Sequence, residues 1–208
     1  MFAISLIAGM ILALMPPSVA TQELLPLGEP EIPSHYTTYT SEGLFSISYP
    51  PDWALATSIM EEVFEASREF LETVDPEAAG QLEEARMVFL AGIPFEEGYY
   101  PFANILVYPK PILALTLDAI VQAETQWGKE NLQQYHEYPQ VKTTVDGREA
   151  IIVDYKDYDP DMGTWRNLQL CTIKDNLVWI VSTGCILEDF GYYEDTFDQI
   201  IRSLRIFK

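Results

Sequence analysis

The chain has 208 residues, enough for one domain with a hydrophobic core and a leader segment. Hydrophobic residues make up 48% of it, which is typical of a folded protein and excludes an intrinsically disordered one. The 32 acidic residues outnumber the 12 basic ones, and the net charge is −20. Nucleic acids and anionic lipids bind through Lys and Arg, so this charge argues against both as partners. A basic protein partner or divalent cations stay open.

The first twenty residues resemble a signal peptide. Residues 1–15 are apolar and uncharged, Pro16-Pro17 follows them, and Ser18-Val19-Ala20 forms a small-x-small cleavage site. A positive n-region is missing, so an uncleaved membrane anchor at residues 1–15 is the alternative. That segment is shorter than the roughly 20 residues that span a bilayer. In either case we expect an exported protein, periplasmic or extracellular.

Residues 21–35 are predicted to be a Pro-rich, acidic tether, and residues 36–208 to be the folded domain. The domain opens with a hairpin whose strands are Thr37–Thr40 and Leu44–Tyr49, because apolar residues alternate along the second strand. A helix is predicted next, from the capping box Ser58–Glu61 to Asp75-Pro76, and a candidate short helix follows at Glu77–Glu84. Two strands come after it, at Arg86–Ala91 and Phe102–Tyr108, and a loop joins them. The next predicted helix is capped by Thr116 and runs from Leu117 to about Gln134.

Four consecutive antiparallel strands are predicted to form the centre of the fold, at Gln140–Val145, Arg148–Tyr155, Trp165–Ile173 and Leu177–Thr183. Asp146-Gly147 is a strong two-residue hairpin turn. If Asp175-Asn176 is the turn of the last hairpin, Leu170 faces Val181 and Cys171 faces Ile180. Both faces of that hairpin are then apolar, so we expect both faces of the sheet to be covered by helices.

The two cysteines are predicted to be free, buried thiols. In the register given above, Cys185 lies beyond Arg166 while Cys171 faces Ile180, an offset of roughly 17 Å along the strand. A disulfide needs Cα atoms about 5.5 Å apart, so a bridge would require the chain to double back at Gly184.

The chain closes with a predicted helix at Tyr192–Leu204, in which Phe197, Ile200, Ile201 and Leu204 form an apolar stripe. Helices are thus available for both faces of a mainly antiparallel sheet, which indicates an α+β fold.

Short motifs in the chain resemble those of the PsbP-like superfamily. They are the opening hairpin with its Y-P-x-x-W ending, Gly43–Trp53, the turn at Gly147 into Ala150–Val153, the run Leu177–Thr183 and the closing segment Phe197–Ile206. The resemblance implies an α/β/α sandwich with a central antiparallel sheet. Members of this superfamily are mostly binding modules rather than enzymes, and include a lumenal subunit of photosystem II, a Ran-binding nuclear transport protein and exported bacterial proteins. The photosystem subunit uses a basic N-terminal arm, whereas residues 21–35 contain no Lys or Arg.

The loop Lys156–Thr164 contains the polar cluster that most clearly suggests a ligand site, with Asp157, Asp159 and Asp161 at alternate positions. Such spacing can converge oxygens on Ca²⁺, as at the start of an EF-hand loop. The pattern departs from that loop because Gly163 comes one position late and Leu168 stands where the last ligand, a Glu, would be. Ca²⁺ is the one cofactor that the sequence suggests; the other interpretation is an acidic hairpin turn.

Two groups of aromatic residues lie beside acidic ones. Tyr99, Tyr100 and Phe102 follow Glu96-Glu97 on a predicted loop, and Tyr192 and Tyr193 follow Glu188-Asp189. Exposed rings next to carboxylates suit recognition of a protein or a small ligand, whereas buried rings would only close the edge of a core.

No catalytic motif is present in the sequence. His35 falls in the tether and His136 follows a helix, and neither suggests a Ser-His-Asp set. No phosphate-binding loop or zinc-ligand spacing occurs. The sequence therefore predicts a non-catalytic exported binding or accessory module at the cell envelope, which touches a membrane only through an uncleaved N-terminus. The alternatives are a Ca²⁺-binding extracytoplasmic protein and, further off, a hydrolase.

Overall fold

Alternating apolar residues and two-residue turns fold long stretches of this chain into antiparallel strands. The computed structural model describes residues 32–56, 59–74, 85–95, 98–110 and 116–207. The predicted leader, most of the tether, Ser58 of the capping box and the candidate helix at Glu77–Glu84 lie outside these ranges. Within them, the strands form two sheets and three helices pack against them.

The larger sheet of the described residues has eight strands. They are β3 (Ala54–Leu55), β4 (Arg86–Phe95), β5 (Gly98–Pro109), β6 (His136–Glu137), β7 (Val141–Val145), β8 (Arg148–Asp159), β9 (Gly163–Lys174) and β10 (Leu177–Ile186). Their order is β3-β4-β5-β10-β9-β8-β6, and β7 also pairs with β8. The pairs are antiparallel. The predicted four-strand run is confirmed as β7 to β10, and β5 lies on its far side against β10.

The smaller sheet contains β1 (Thr37–Ser41), β2 (Phe45–Tyr49) and β11 (Arg205–Ile206), in the order β1-β2-β11. The predicted opening hairpin is confirmed as β1 and β2. The strand β11 was not predicted from the sequence, and it pairs with the first two residues of β2. A buried hydrogen bond ties the same two segments together, because the backbone N–H of Ser48 donates to the Ser203 hydroxyl at 2.8 Å.

Three helices are found in the described ranges: α1 (Met60–Val74), α2 (Leu117–Asn131) and α3 (Leu187–Arg202). The predicted cap of α2 is confirmed, since the Thr116 hydroxyl accepts a hydrogen bond from the backbone N–H of Ala119 at 3.2 Å. The predicted start of the last helix at Tyr192 is wrong. That helix begins at Leu187, directly after β10, and the additional first turn places Phe190 in the core.

The two faces of the larger sheet carry two separate hydrophobic cores. One core packs α1 and α2 against the sheet and includes Phe64, Val121 and Trp127. The other packs the smaller sheet and α3 against the opposite face and includes Phe45 and Phe197. The expected helical cover on both faces is confirmed, although on one face the smaller sheet shares that role with α3.

Tight turns with left-handed backbone set the hairpins. Asp175 and Asn176 have φ of +50° and +66°, and Asp146 and Gly147 have φ of +50° and +71°. Positive φ at both central residues is the signature of the two-residue turn whose twist matches that of paired strands. Asp, Asn and Gly tolerate this region better than other residues do. Both turns stand where the sequence predicted them.

The predicted register of β9 and β10 is confirmed. Leu170 is paired with Val181, and Cys171 with Ile180. Cys185 lies opposite Arg166, and both cysteines are free and buried.

Two predicted loops are instead parts of strands. The loop at Lys156–Thr164 shrinks to the turn at residues 160–162, because β8 and β9 stay paired as far as Asp159 and Gly163. The loop at Gly92–Pro101 is likewise mostly strand, since β4 runs to Phe95 and β5 begins at Gly98. Polar and proline residues near the ends of these long hairpins are typical of loops, so the sequence did not predict that the strand pairing continues there.

We expect Gly184→Ala to destabilise the fold. A Cβ atom at Gly184 would lie 2.2 Å from Oδ1 of Asn167 and 3.1 Å from the ring of Phe102. Moving Asn167 would break its buried hydrogen bond to Asp157. Overpacking of this kind costs about 1–3 kcal/mol in the free energy of unfolding, which urea titration measures.

Gly191→Ala is the matched control. Nothing lies within 4 Å of a Cβ at this exposed helical position. The substitution should stabilise the protein by up to about 1 kcal/mol, because Ala favours a helix over Gly. Equal stability of the Gly184→Ala variant and the wild type would contradict the packing described for β10.

Candidate functional site

The first group of predicted aromatic residues lies on a strand rather than a loop. Tyr99, Tyr100 and Phe102 all belong to β5. Phe102 is buried, with its ring 5.9 Å from the ring of Trp165, so the prediction that it binds a partner at the surface is wrong. Tyr99 is paired with Pro94 at the start of the strand. Tyr100 connects this strand to the second group of predicted residues, through Asp189.

Tyr100 joins β5 to the first turn of α3. Its ring meets Trp165 edge-on at 5.8 Å, and its hydroxyl donates a hydrogen bond to the carboxylate of Asp189. Burial and this bond to Asp189 raise the pKa of the Tyr100 phenol. The phenol therefore stays protonated at neutral pH, where it acts as a fixed hydrogen-bond donor that positions Asp189.

The second aromatic pair lies on the outer side of α3. Tyr192 is 82% exposed, and its ring meets Tyr193 edge-on with centroids 4.8 Å apart. Tyr193 is half-buried and stacks on Phe197 at 5.8 Å, so it anchors the pair to the core. The structure thus brings Tyr100 and the Tyr192–Tyr193 pair to one helix. We call Tyr100, Glu188, Asp189, Tyr192 and Tyr193 the α3 surface.

Exposed carboxylates stand near Tyr192 along α3. Among the described residues, Glu188 and Asp195 are exposed and form no ion pair, and they stand four residues before and three residues after Tyr192. Glu194 is also exposed and interacts electrostatically with Arg166. Exposed carboxylates beside an exposed ring create a negative potential around it. The α3 surface therefore combines an aromatic anchor with a field that attracts cationic groups.

The three Asp residues of the predicted Ca²⁺ site have different surroundings. Asp157 is buried on β8, where its Oδ1 accepts a hydrogen bond from the Asn167 amide at 3.0 Å. Oδ1 of Asp159 accepts from the backbone N–H groups of Asp161 and Met162 at 2.8 and 2.9 Å. Asp161 is exposed in the turn. Two of the three carboxylates thus stabilise the hairpin itself.

No group of three His, Cys, Asp or Glu side chains in the described ranges is placed to hold a metal ion. The Ca²⁺ site at Asp157, Asp159 and Asp161 remains a prediction from the sequence. His136, the histidine considered for a catalytic set, is exposed on β6 with its ring 5.0 Å from that of Tyr138.

A buried carboxylate that the sequence reasoning missed lies under α2. Glu124 is 5% exposed, its Oε1 accepts a hydrogen bond from the Tyr108 hydroxyl at 2.9 Å, and its Oε2 accepts one from the Cys171 thiol at 3.6 Å. Burial raises the pKa of Glu124 from 4.5 to about 8, although both hydrogen bonds act in the opposite direction. The sequence does contain a signal for the burial of Glu124, because this residue stands three and four residues after Val121 and Ile120, on the apolar stripe of α2.

Glu124 lines a recess between α2 and the larger sheet. The recess has room for about one water molecule and is lined by Glu124, Thr125, Gly128, Leu132, Tyr135, Val153, Tyr155 and Gln169. Its lining combines a carboxylate, two phenol rings and aliphatic side chains.

Comparison with solved structures supports the architecture described above. CyanoP, the cyanobacterial PsbP of Synechocystis sp. PCC 6803, is similar with a TM-score of 0.53 and 11% identity, over 83% of this chain and 93% of CyanoP. LpqN of Mycobacterium tuberculosis, involved in cell envelope biogenesis, is similar with a TM-score of 0.51 and 10% identity, over 82% of this chain and 90% of LpqN.

The chain has a PsbP-like fold. The resemblance that the hairpin and closing-helix motifs indicated is thereby confirmed at the level of the fold. No protein-family model and no curated protein matches the sequence. None of the helices in the described ranges of this PsbP-like domain is long and apolar enough to cross a membrane.

We expect Glu124 to make the PsbP-like domain less stable as the pH rises. Between its unfolded pKa of 4.5 and its folded pKa of about 8, the folded state holds a proton that the unfolded state has released. Stability is therefore fully present below pH 4.5 and is lost as the pH approaches 8. From pH 5.5 to 8.5, the wild type should lose roughly 2–3 kcal/mol more than Glu124→Gln, which does not titrate.

Urea unfolding of both proteins at the two pH values measures this difference. Groups that titrate in both proteins cancel from the comparison. Equal losses of stability in the wild type and in Glu124→Gln would show that Glu124 is not held in its neutral form by burial.

Proposed function

We propose that this protein is a non-catalytic accessory module that acts outside the cytoplasm at the cell envelope and binds a basic protein partner through the α3 surface. The observation that carries the proposal is the exposure of Tyr192, whose ring is 82% accessible. Tyr is enriched at the energetic centre of protein interfaces, because it supplies a large contact area with few rotatable bonds.

The negative charge around Tyr192 favours a basic partner. Glu188 and Asp195 form no ion pair with a basic side chain among the described residues, and the whole chain carries a net charge of −20. A partner that presents Lys or Arg would satisfy these carboxylates and would be steered toward them by the field. An acidic partner would be repelled.

The rigidity of the α3 surface also supports binding rather than catalysis. Asp189 is fixed by the Tyr100 hydroxyl, and Tyr193 is stacked on Phe197 of the core. A surface that is already ordered loses little conformational freedom when a partner binds. With its pKa raised, Tyr100 is a hydrogen-bond donor rather than a proton acceptor.

The location in this proposal rests on two further observations. Residues 1–20 have the pattern of an exported leader. One of the proteins with the same fold, LpqN, is involved in cell envelope biogenesis. We carry that location to this chain as part of the proposal.

Site-specific photo-crosslinking tests the α3 surface directly. A photoreactive phenylalanine derivative in place of Tyr192 should crosslink to an envelope protein in intact cells. The yield should fall when salt is raised in the isolated envelope fraction, because a basic partner is held partly by charge. Tyr192→Ala, present in excess as an unlabelled competitor, should compete about tenfold less well than the wild type.

The matched control places the same photoreactive residue at Phe207, which is 50% exposed and lies outside α3. No adduct is expected from that position. Identical adducts from both positions, or no adduct from position 192, would contradict binding through the α3 surface.

A further inference from the structure

We propose that the partner of the α3 surface docks there with an α-helix that lies along α3 and presents Lys or Arg at two positions seven residues apart. This inference rests on the proposed function and specifies the partner of that same surface. The outer stripe of α3 carries it, by which we mean Glu188, Gly191, Tyr192, Asp195 and Gln199.

The outer stripe lies opposite the side of α3 that packs in the core. That inner side is formed by the buried residues Phe190, Phe197, Ile200 and Ile201. A helix turns by about 100° per residue, so Glu188, Tyr192 and Asp195 project from the opposite side. All three are exposed. This side of α3 is therefore open to a partner.

Two carboxylates of the outer stripe set the spacing of the basic groups. Glu188 and Asp195 stand seven residues apart, which is about 10.5 Å along the helix axis. A partner helix that lies along α3 repeats its side chains at the same interval, so its residues i and i+7 meet both carboxylates. An extended strand repeats one face at about 6.8 and 13.6 Å, and neither distance matches.

Gly191 lets the partner helix come close to α3. It is exposed, and nothing lies within 4 Å of a Cβ atom built at this position. The packing of the domain therefore does not require a glycine here, although glycine is among the least favourable residues in a helix. Gly191 stands three residues after Glu188 and four before Asp195, so it leaves bare backbone between the two carboxylates. Glycine is suited to such close approach of a second chain.

Tyr192 supplies the contact area beside this bare backbone. Its ring meets Tyr193 edge-on at 4.8 Å, so it is supported from one side around the helix. Gly191 stands on the other side of Tyr192 and adds no side chain. The carbon stem of a Lys or Arg on the partner helix can pack there against the ring while its charged end reaches a carboxylate.

The charges of α3 favour a basic helix over an acidic or neutral one. Arg202 is the one basic residue of α3, and it is already paired with Asp198 at 2.6 Å. Glu188 and Asp195 form no ion pair among the described residues. Two basic side chains of the partner would supply the counter-charges of these carboxylates.

Photo-crosslinking from two positions of the outer stripe tests for a helix. A photoreactive phenylalanine derivative replaces either Tyr192 or Gln199 in the full chain, in intact cells. These positions are also seven residues apart, and neither substitution removes a carboxylate. Mass spectrometry should map the two adducts to partner residues about seven apart, because both helices rise by about 1.5 Å per residue. Lys or Arg should stand at two positions with the same spacing in that segment. An extended segment would place the adducts about three residues apart.

Variants of Gly191 test the close approach. As unlabelled competitors of the position-192 adduct in the isolated envelope fraction, Gly191→Ala should compete about threefold and Gly191→Gln about tenfold less well than the wild type. Both variants should unfold at no lower urea concentration than the wild type, because Ala and Gln favour a helix over Gly. Ala119→Gln is the matched control, since it adds the same side chain at an exposed position of α2, and it should compete as well as the wild type.

Variants of the two carboxylates test the charge. In the same competition at low salt, Glu188→Gln and Asp195→Asn should each compete up to about fivefold less well than the wild type. Glu130→Gln, which removes an exposed acid of α2, should compete as well as the wild type.

The outcomes separate this inference from the proposed function. An adduct from position 192 supports the proposed function whatever the structure of the partner. Adducts about three residues apart, no adduct from position 199, or full competition by Gly191→Gln or by both carboxylate variants would each overturn the basic partner helix. The absence of an adduct from position 192 would contradict the proposed function and this inference together.

Discussion

The register of β9 against β10 is the constraint on which the rest of the structure depends. Asp175 and Asn176 set it by adopting left-handed backbone, and the pairing of Cys171 with Ile180 follows from that turn. Side chains alternate between faces along a strand, so a slip of one residue would exchange the two faces of this hairpin. Here each face belongs to a different hydrophobic core. This one turn therefore determines which residues of β9 and β10 enter each core, and both faces of the hairpin are apolar because each face lies in a core.

Much of the fold could be predicted because its information is local. A two-residue turn fixes the pairing of the strands on either side of it, and Asp146-Gly147 and Asp175-Asn176 were both readable in the sequence. What could not be predicted is pairing between distant segments, such as β5 with β10 or β11 with β2. No short-range pattern encodes such partners, because they are chosen by packing of the whole chain.

The candidate sites show the same division between local and distant information. The sequence predicted an exposed ring at Tyr192, which follows Glu188-Asp189, and the ring is exposed. Phe102 was predicted in the same way, but β5 places its ring against Trp165 in the core. Glu124 had a local signal in the apolar stripe of α2, but its partners Tyr108 and Cys171 come from two other strands. An acidic residue in such a stripe is therefore worth examining before exposed acids are, particularly in a chain as acidic as this one.

The pairing of β11 with β2 has a consequence for the order in which this protein acquires its structure. The smaller sheet joins residues near positions 45 and 205, and the Ser48–Ser203 bond spans a similar distance along the chain. A ribosome that has made the first hairpin must add more than a hundred further residues before that sheet can close. Contacts this far apart in sequence also slow folding. The smaller sheet therefore closes only when the end of the domain has been made, so a chain that is still being synthesised lacks the edge that β11 adds to β2.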